Sequence, residues 1–154
     1  MKKMFHIWTL LVSFATVLLI SVNSYGSGAC IKGDCKNGQG TYLRADGSRY
    51  VGEWKNGKKN GYGTLTRPGG SKYVGEWKND EPHGRGTWFF ENGGKYEGQW
   101  YRSKFHGYGI YIYANGSKYE GEFIHGSPTQ NGTWTYPKHL LEQQAKSRGS
   151  SPGK

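Results

Sequence analysis

Tyr50, Tyr73, Tyr96 and Tyr119 stand 23 residues apart, and each opens a variant of the same run, Tyr73-Val74-Gly75-Glu76-Trp77 being one copy. A strict period of this length restricts the chain to an array of one small unit, in which each copy buries its apolar face against its neighbours rather than in a shared globular core. Composition alone argues the other way. Hydrophobic residues are only 34% of 154 positions, with 26 glycines, and the mean hydropathy is -0.83, leaving little apolar surface to offset chain entropy. The period reverses that inference, because the apolar surface is aromatic (6 Trp, 12 Tyr, 6 Phe) and recurs at fixed places in the unit.

Each unit supplies two strands. The first runs Tyr50-Val51-Gly52-Glu53-Trp54 and the second passes through Gly63-Thr64-Leu65-Thr66-Arg67, with Asp46-Gly47 and Asn115-Gly116 among the turns. Alternation and turn chemistry both favour β-hairpins over helix. Side-chain volume suggests a register. With the loops centred on Gly47, Gly70, Gly93 and Gly116, Trp88 falls opposite Gly98, Tyr111 opposite Gly121, Gly86 opposite Trp100 and Gly63 opposite Trp77. Arg67 then opposes Tyr73, and Tyr113 opposes Tyr119. One face carries aromatics covering glycines; the other carries Glu53, Glu76, Gln99 and Glu122 amid Lys and Thr and reads as solvated.

Ahead of the array, residues 1–26 read as an export signal: Lys2 and Lys3, an apolar run from Ile7 to Ile20, then small polar residues ending at Gly26, bacterial in style. A lipoprotein cysteine at Cys30 is disfavoured by Ser27 and by its distance from the apolar run, and an uncleaved anchor by the shortness of that run against the ~20 residues a span needs. Export places the repeats outside the cytoplasmic membrane, in the periplasm or secreted. There Cys30 and Cys35 are expected to close a small disulfide loop. Residues 27–49 hold half a unit, Gly38, Gly40 and Thr41 matching Gly61, Gly63 and Thr64, which makes them a stapled cap. Units follow at 50–72, 73–95, 96–118 and 119–136. Beyond Pro137, His139 to Lys146 reads as a short helix and Gly149 to Lys154 as disordered.

Tyr-x-Gly-Glu-Trp-x-x-Gly followed by Gly-x-Gly-Thr, repeated every 23 residues over about 50–136, resembles the MORN (membrane occupation and recognition nexus) repeat. Gln99, Phe123, Asp80, Ser103 and Gln130 depart from the pattern and bear on the turns of the later units. The resemblance implies an elongated, twisted, single-layer antiparallel sheet of consecutive hairpins, used in the family for protein interaction and self-association, with phospholipid binding proposed for some members. Enzymatic members of the family carry that activity in a separate fused domain.

The residues themselves offer no catalytic constellation. Equivalent positions in successive two-strand units lie about 10 Å apart, so His83 and His106 cannot share a metal ion, whose ligands lie at about 2 Å. The ladder of Glu53, Glu76 and Glu122 lacks the cleft that a glycosidase needs. No phosphate-cradling motif, nucleophile elbow or cofactor signature occurs. Three kinds of binding remain. The first is a protein partner or a second copy, held by an aromatic face of Tyr50, Trp54, Tyr73, Trp77, Trp88, Tyr96, Trp100, Tyr111, Tyr119 and Trp134, expected to stay partly open. The second is an anionic membrane surface met by Lys55, Lys58, Lys59, Lys72, Lys78, Lys95 and Lys118, the formal charge being +10, or +8 without Lys2 and Lys3. The third is an acidic glycan or cell-wall ligand on the same aromatic groove. Nucleic acid falls last, because export removes its usual targets.

Overall fold

The structure, a computed structural model, describes residues 28–149; the proposed leader and the tail from 150 onward lie outside the described residues. Its strands are β1 (Ala29–Gly33), β2 (Gly38–Leu43), β3 (Arg49–Lys55), β4 (Lys58–Thr66), β5 (Lys72–Lys78), β6 (Glu81–Phe89), β7 (Lys95–Tyr101), β8 (Lys104–Ile112), β9 (Lys118–Ile124), β10 (Ser127–Pro128) and β11 (Thr133–Thr135), followed by α1 (Lys138–Gly149). They make one antiparallel sheet in which sequence neighbours are spatial neighbours from β1 to β10, while β11 pairs β9 beyond β10. The fold is therefore the expected all-β array of hairpins. The helix extends to Gly149, the first residue of the stretch expected to be disordered.

Two kinds of turn alternate. At one margin of the sheet lie two-residue turns, Asn56-Gly57, Asn79-Asp80, Arg102-Ser103 and His125-Gly126, with φ between 48° and 96° at both positions. That is the signature of type I′, whose twist matches the strands. Asp80 and Ser103 thus keep the turn geometry even though they replace glycine. Each turn also donates a backbone N–H to the preceding unit: Gly57 to Lys36, Asp80 to Lys59, Ser103 to Pro82 and Gly126 to Phe105, at 2.9–3.0 Å.

The opposite margin corrects the expected register. Arg44 N–H donates to Ser48 O and Gly47 N–H to Arg44 O, a pattern repeated at 67–71, 90–94 and 113–117. These are three-residue loops in which the left-handed glycine is the last residue, not the middle one. The loops centre one residue earlier than expected, so pairing shifts by two: Trp88 faces Tyr96, Gly84 faces Trp100, Gly61 faces Trp77, Leu65 faces Tyr73 and Tyr111 faces Tyr119. A shift of two keeps every side chain on its face. The consequence is that glycine opposes glycine, from Gly40 with Gly52 through Gly63, Gly75, Gly86 and Gly98 to Gly109 with Gly121.

This glycine row is the trench in which the tyrosines lie. Tyr73 covers Gly75 and Gly86, and a Cβ on Gly86 would stand 2.6 Å from its Cζ. Hydroxyls of Tyr50, Tyr73, Tyr96 and Tyr119 donate to the carbonyls of Glu53, Glu76, Gln99 and Glu122 at 2.8–3.2 Å. Nε1 of Trp54, Trp77 and Trp100 donates to O of Gly40, Gly63 and Gly86 at 3.0–3.2 Å. Tyr50, Tyr73 and Tyr96 each meet one indole or phenyl edge in their own unit and another in the next. Tyr73, for example, has Trp77 and Trp100 both at 5.0 Å and nearly perpendicular. Edge-to-face contacts of this kind add about 0.5–1.5 kcal/mol each beyond area burial. The core is thus a zigzag of rings one layer thick.

The other face is less passive than its polarity suggests. In each of the hairpins β3–β4 and β5–β6, a bulge brings a carboxylate onto a free backbone donor: Tyr62 N–H donates to Glu53 Oε1 and Arg85 N–H to Glu76 Oε1, both at 2.8 Å. Glu53 and Glu76 therefore satisfy the interrupted ladder instead of only facing water.

Candidate functional site

Burial divides the aromatic face that was expected to stay partly open. Tyr73, Tyr96 and Tyr119 are 0% exposed, and Tyr50, Trp77 and Trp100 are also buried. These six rings, with Phe123 and Leu65, are the core, covered by one another and by the glycine trench. Trp54, Trp88 and Tyr111 are half-buried, and Trp134 is 44% exposed.

What stays accessible on the tyrosine face is a groove of about 450 Å³. Strand alternation and the corrected register build it. Trp88 lies in the row of Tyr73 and Tyr96; Phe90 flanks a three-residue loop; Pro82 and Phe105 stand beside the two-residue turns. With Leu65 and the edges of Trp77 and Trp100 they form an apolar floor. Three basic side chains frame it, Arg44, Lys59 and Arg67, while Lys104 borders it only at the two-residue turn, its pairing with Tyr101 placing its side chain on the opposite face. The Arg67 guanidinium sits 5.0 Å from the Trp88 ring, and Lys59 Nζ lies 5.2 Å from that of Trp77. These stacks hold the cations against the floor.

Asp80, the single carboxylate lining the groove among the described residues, is already engaged. Its Oδ1 accepts from both the backbone N–H and Nζ of Lys59 at 3.0 Å. Partial burial pushes the Asp80 pKa up, but these bonds with Lys59 outweigh it and hold the group below its ordinary value. Toward the last unit the floor continues as Tyr111, Tyr113, Trp134 and Tyr136. Burial raises the pKa of Tyr111 and of Tyr113, and the rings of Trp134 and Tyr136 are stacked at 6.0 Å.

Phe90, Phe105, Arg44, Arg67 and Lys104 are groove residues that sequence reasoning missed. The signal was the period itself, since Arg44, Arg67, Phe90 and Tyr113 occupy one position of the unit. Cation at that position gives way to aromatic ring along the array, and the groove lies at the changeover.

The basic residues singled out from sequence divide between the two faces. Lys59 belongs to the groove. By alternation Lys55, Lys58, Lys72, Lys78, Lys95 and Lys118 lie on the opposite face, where Lys95 pairs with Glu97 and Lys118 with Glu120 at 2.8–2.9 Å. That face is of mixed charge. Cys30 and Cys35 are joined by a disulfide, which fastens β1, the terminal strand, near its turn into β2.

A single-layer sheet with consecutive hairpins, ring-on-glycine packing and an open groove defines a binding repeat array. The MORN repeat model matches five successive segments, 32–49, 50–72, 73–95, 96–118 and 119–140, so the chain belongs to the MORN repeat family. MORN repeats are in general non-enzymatic binding repeats, known for protein and membrane-lipid interaction. No match was found among curated proteins.

Proposed function

We propose that this chain is an exported, non-enzymatic scaffold whose groove takes a protein segment carrying carboxylates around an apolar anchor. The observation that carries this reading is the groove's composition: an aromatic floor framed by Arg44, Arg67 and Lys59, with the one carboxylate lining it among the described residues, Asp80, already bonded to Lys59. An apolar side chain on the floor displaces water from Trp88 and Phe90, while acidic neighbours meet the basic frame. Aromatic residues and arginine are the types that dominate interface energies. The Cys30–Cys35 bridge supports the exported part of the proposal, since disulfides persist in oxidising compartments.

The test is peptide selection on the full chain, followed by titration of the selected peptides against wild type and a Trp88→Ala/Arg67→Ala variant. Acidic peptides with an aromatic or aliphatic anchor should emerge, and the variant should bind them at least tenfold more weakly. Basic peptides, or equal binding by the variant, would overturn the reading. Light scattering on the same samples separates self-association: a dimer that survives high salt and is lost in Trp88→Ala would make a second copy the occupant.

A further inference from the structure

We infer that the sheet face opposite the buried tyrosines carries a second binding site, a trough across three units for an uncharged, extended chain of β-1,4-linked pyranose rings. Tyr62, Arg85 and Tyr108 hold one position of the unit, on β4, β6 and β8, and line a single cavity of about 650 Å³ together with Glu76, Glu97 and Gln99. By strand alternation all six side chains project away from the ring zigzag. Tyr62 and Tyr108 are 56% and 58% exposed, the highest values of any Tyr, Trp or Phe among the described residues, and neither packs against another ring there. The Tyr108 hydroxyl donates to Glu120 Oε1 at 3.0 Å, although its register partner is Glu122, two residues away along β9. The ring therefore leans along the sheet instead of standing upright, which turns one of its faces to solvent. Tyr62 lines the trough with Val74, the residue equivalent to Glu120.

Spacing and charge select the occupant. Neighbouring strands stand about 4.8 Å apart, so Tyr62, Arg85 and Tyr108 follow one another at about 10 Å. An extended β-1,4-linked chain repeats every two rings, and that disaccharide rises by nearly the same distance. One sugar in two then meets a flat platform: a phenol ring at either end and the planar Arg85 guanidinium between them. Equatorial substituents leave the C–H bonds of such a sugar on its two faces, where they meet the negative face of a tyrosine ring. Its hydroxyls point outward around the edge and need donors and acceptors. The Arg85 guanidinium and the Gln99 amide have no hydrogen-bond or ion-pair partner among the described residues, and Glu76 keeps acceptor capacity beyond its bond from Arg85 N–H. The charges balance, Arg85 and the Lys95 bonded to Glu97 standing against Glu76 and Glu97, which favours neither a polyanion nor a polycation. Sheet twist turns successive platforms by roughly 40–50°, a rotation that the glycosidic torsions of the chain take up.

Cellohexaose and its N-acetylated counterpart chitohexaose are the probes, long enough to span the ~20 Å from Tyr62 to Tyr108, each titrated into the full chain and followed by amide chemical shifts. Saturable shifts at Tyr62, Arg85, Gln99 and Tyr108 are expected with at least one of them. The matching disaccharide reaches one platform at a time and should bind at least tenfold more weakly. A Tyr62→Ala/Tyr108→Ala variant should lose at least tenfold in hexaose affinity while melting near the wild-type temperature, since both rings are exposed. Maltohexaose, whose α-1,4 links coil the chain away from this repeat, should give no saturable shift. Saturation with neither β-linked hexaose, an equal response to maltohexaose, or a double variant that titrates like wild type would overturn the proposal. No residue lines both this trough and the groove on the tyrosine face. Trp88→Ala should therefore keep the sugar, and the double tyrosine variant should keep the acidic peptides, so the two sites stand or fall separately.

Discussion

Gly86→Ala should be among the most damaging single-methyl changes in the protein. The added Cβ would lie 2.6–2.7 Å from Cζ and Cε2 of Tyr73 and closer still to its hydroxyl, whereas ordinary carbon contacts are about 3.5–4.0 Å. Tyr73 is 0% exposed and held by Trp77 and Trp100, each at 5.0 Å. To clear the methyl, the ring must lift by about 1 Å. Lifting loosens two edge contacts worth about 0.5–1.5 kcal/mol each and stretches the 2.9 Å bond to Glu76 O, worth about 1 kcal/mol. Alanine returns about 0.5–1 kcal/mol through the unfolded chain. A net loss of about 2 kcal/mol follows, within the range for overpacked cores. Urea unfolding followed by tryptophan fluorescence measures it. The decisive comparison is a double-mutant cycle with Tyr73→Leu, in which the ring is gone and the methyl should cost close to nothing. An equal cost in both backgrounds would refute the ring-over-glycine account.

Ser103→Gly should raise stability by about 1 kcal/mol by removing a non-glycine residue from the left-handed region, seen as a higher melting temperature. Asp80→Gly should not, although its φ is similar, because it removes both bonds from Lys59. Alkali should unfold the array cooperatively. Burial raises the pKa of Tyr96 to about 12 and moves Tyr50 and Tyr73 higher still from 10.0. Stability is therefore complete below pH 10 and lost as pH climbs through the folded values, so phenolate absorbance and loss of circular dichroism should rise together. Reducing Cys30–Cys35 opens a loop of sequence separation 5, worth about 2 kcal/mol. Hydrogen exchange should quicken in β1, which among the described residues pairs only with β2, and leave the sheet beyond β3 unchanged.

How much of this was legible depended on whether a feature is local to one unit. The period fixed the hairpins and which residues share a face, because alternation and turn residues are written in each copy. Register failed by two because Gly47 and its equivalents mark the end of a three-residue loop, and composition does not distinguish the last loop position from the middle. The closure of the rings failed for a different reason: Tyr73 is buried by Trp100, a contact between units that no single copy displays. Glu53 and Glu76 looked solvated because a bulge that aims a carboxylate at a backbone donor leaves the alternation pattern unchanged. The groove was half legible. Trp88 was visible, while Phe90 and Arg67 needed the corrected loops to place them beside it.

The zigzag of rings also makes the protein extensible. Because Tyr50, Tyr73 and Tyr96 each spend one contact at home and one on the following unit, a copied 23-residue segment inserted between two others would find both halves of its packing waiting. Such a duplication would lengthen the sheet by two strands, about 10 Å, without redesigning any side chain. Interior copies are interchangeable in this sense, whereas the disulfide-tied first strand and the broken last pair are not. The array grows from its middle.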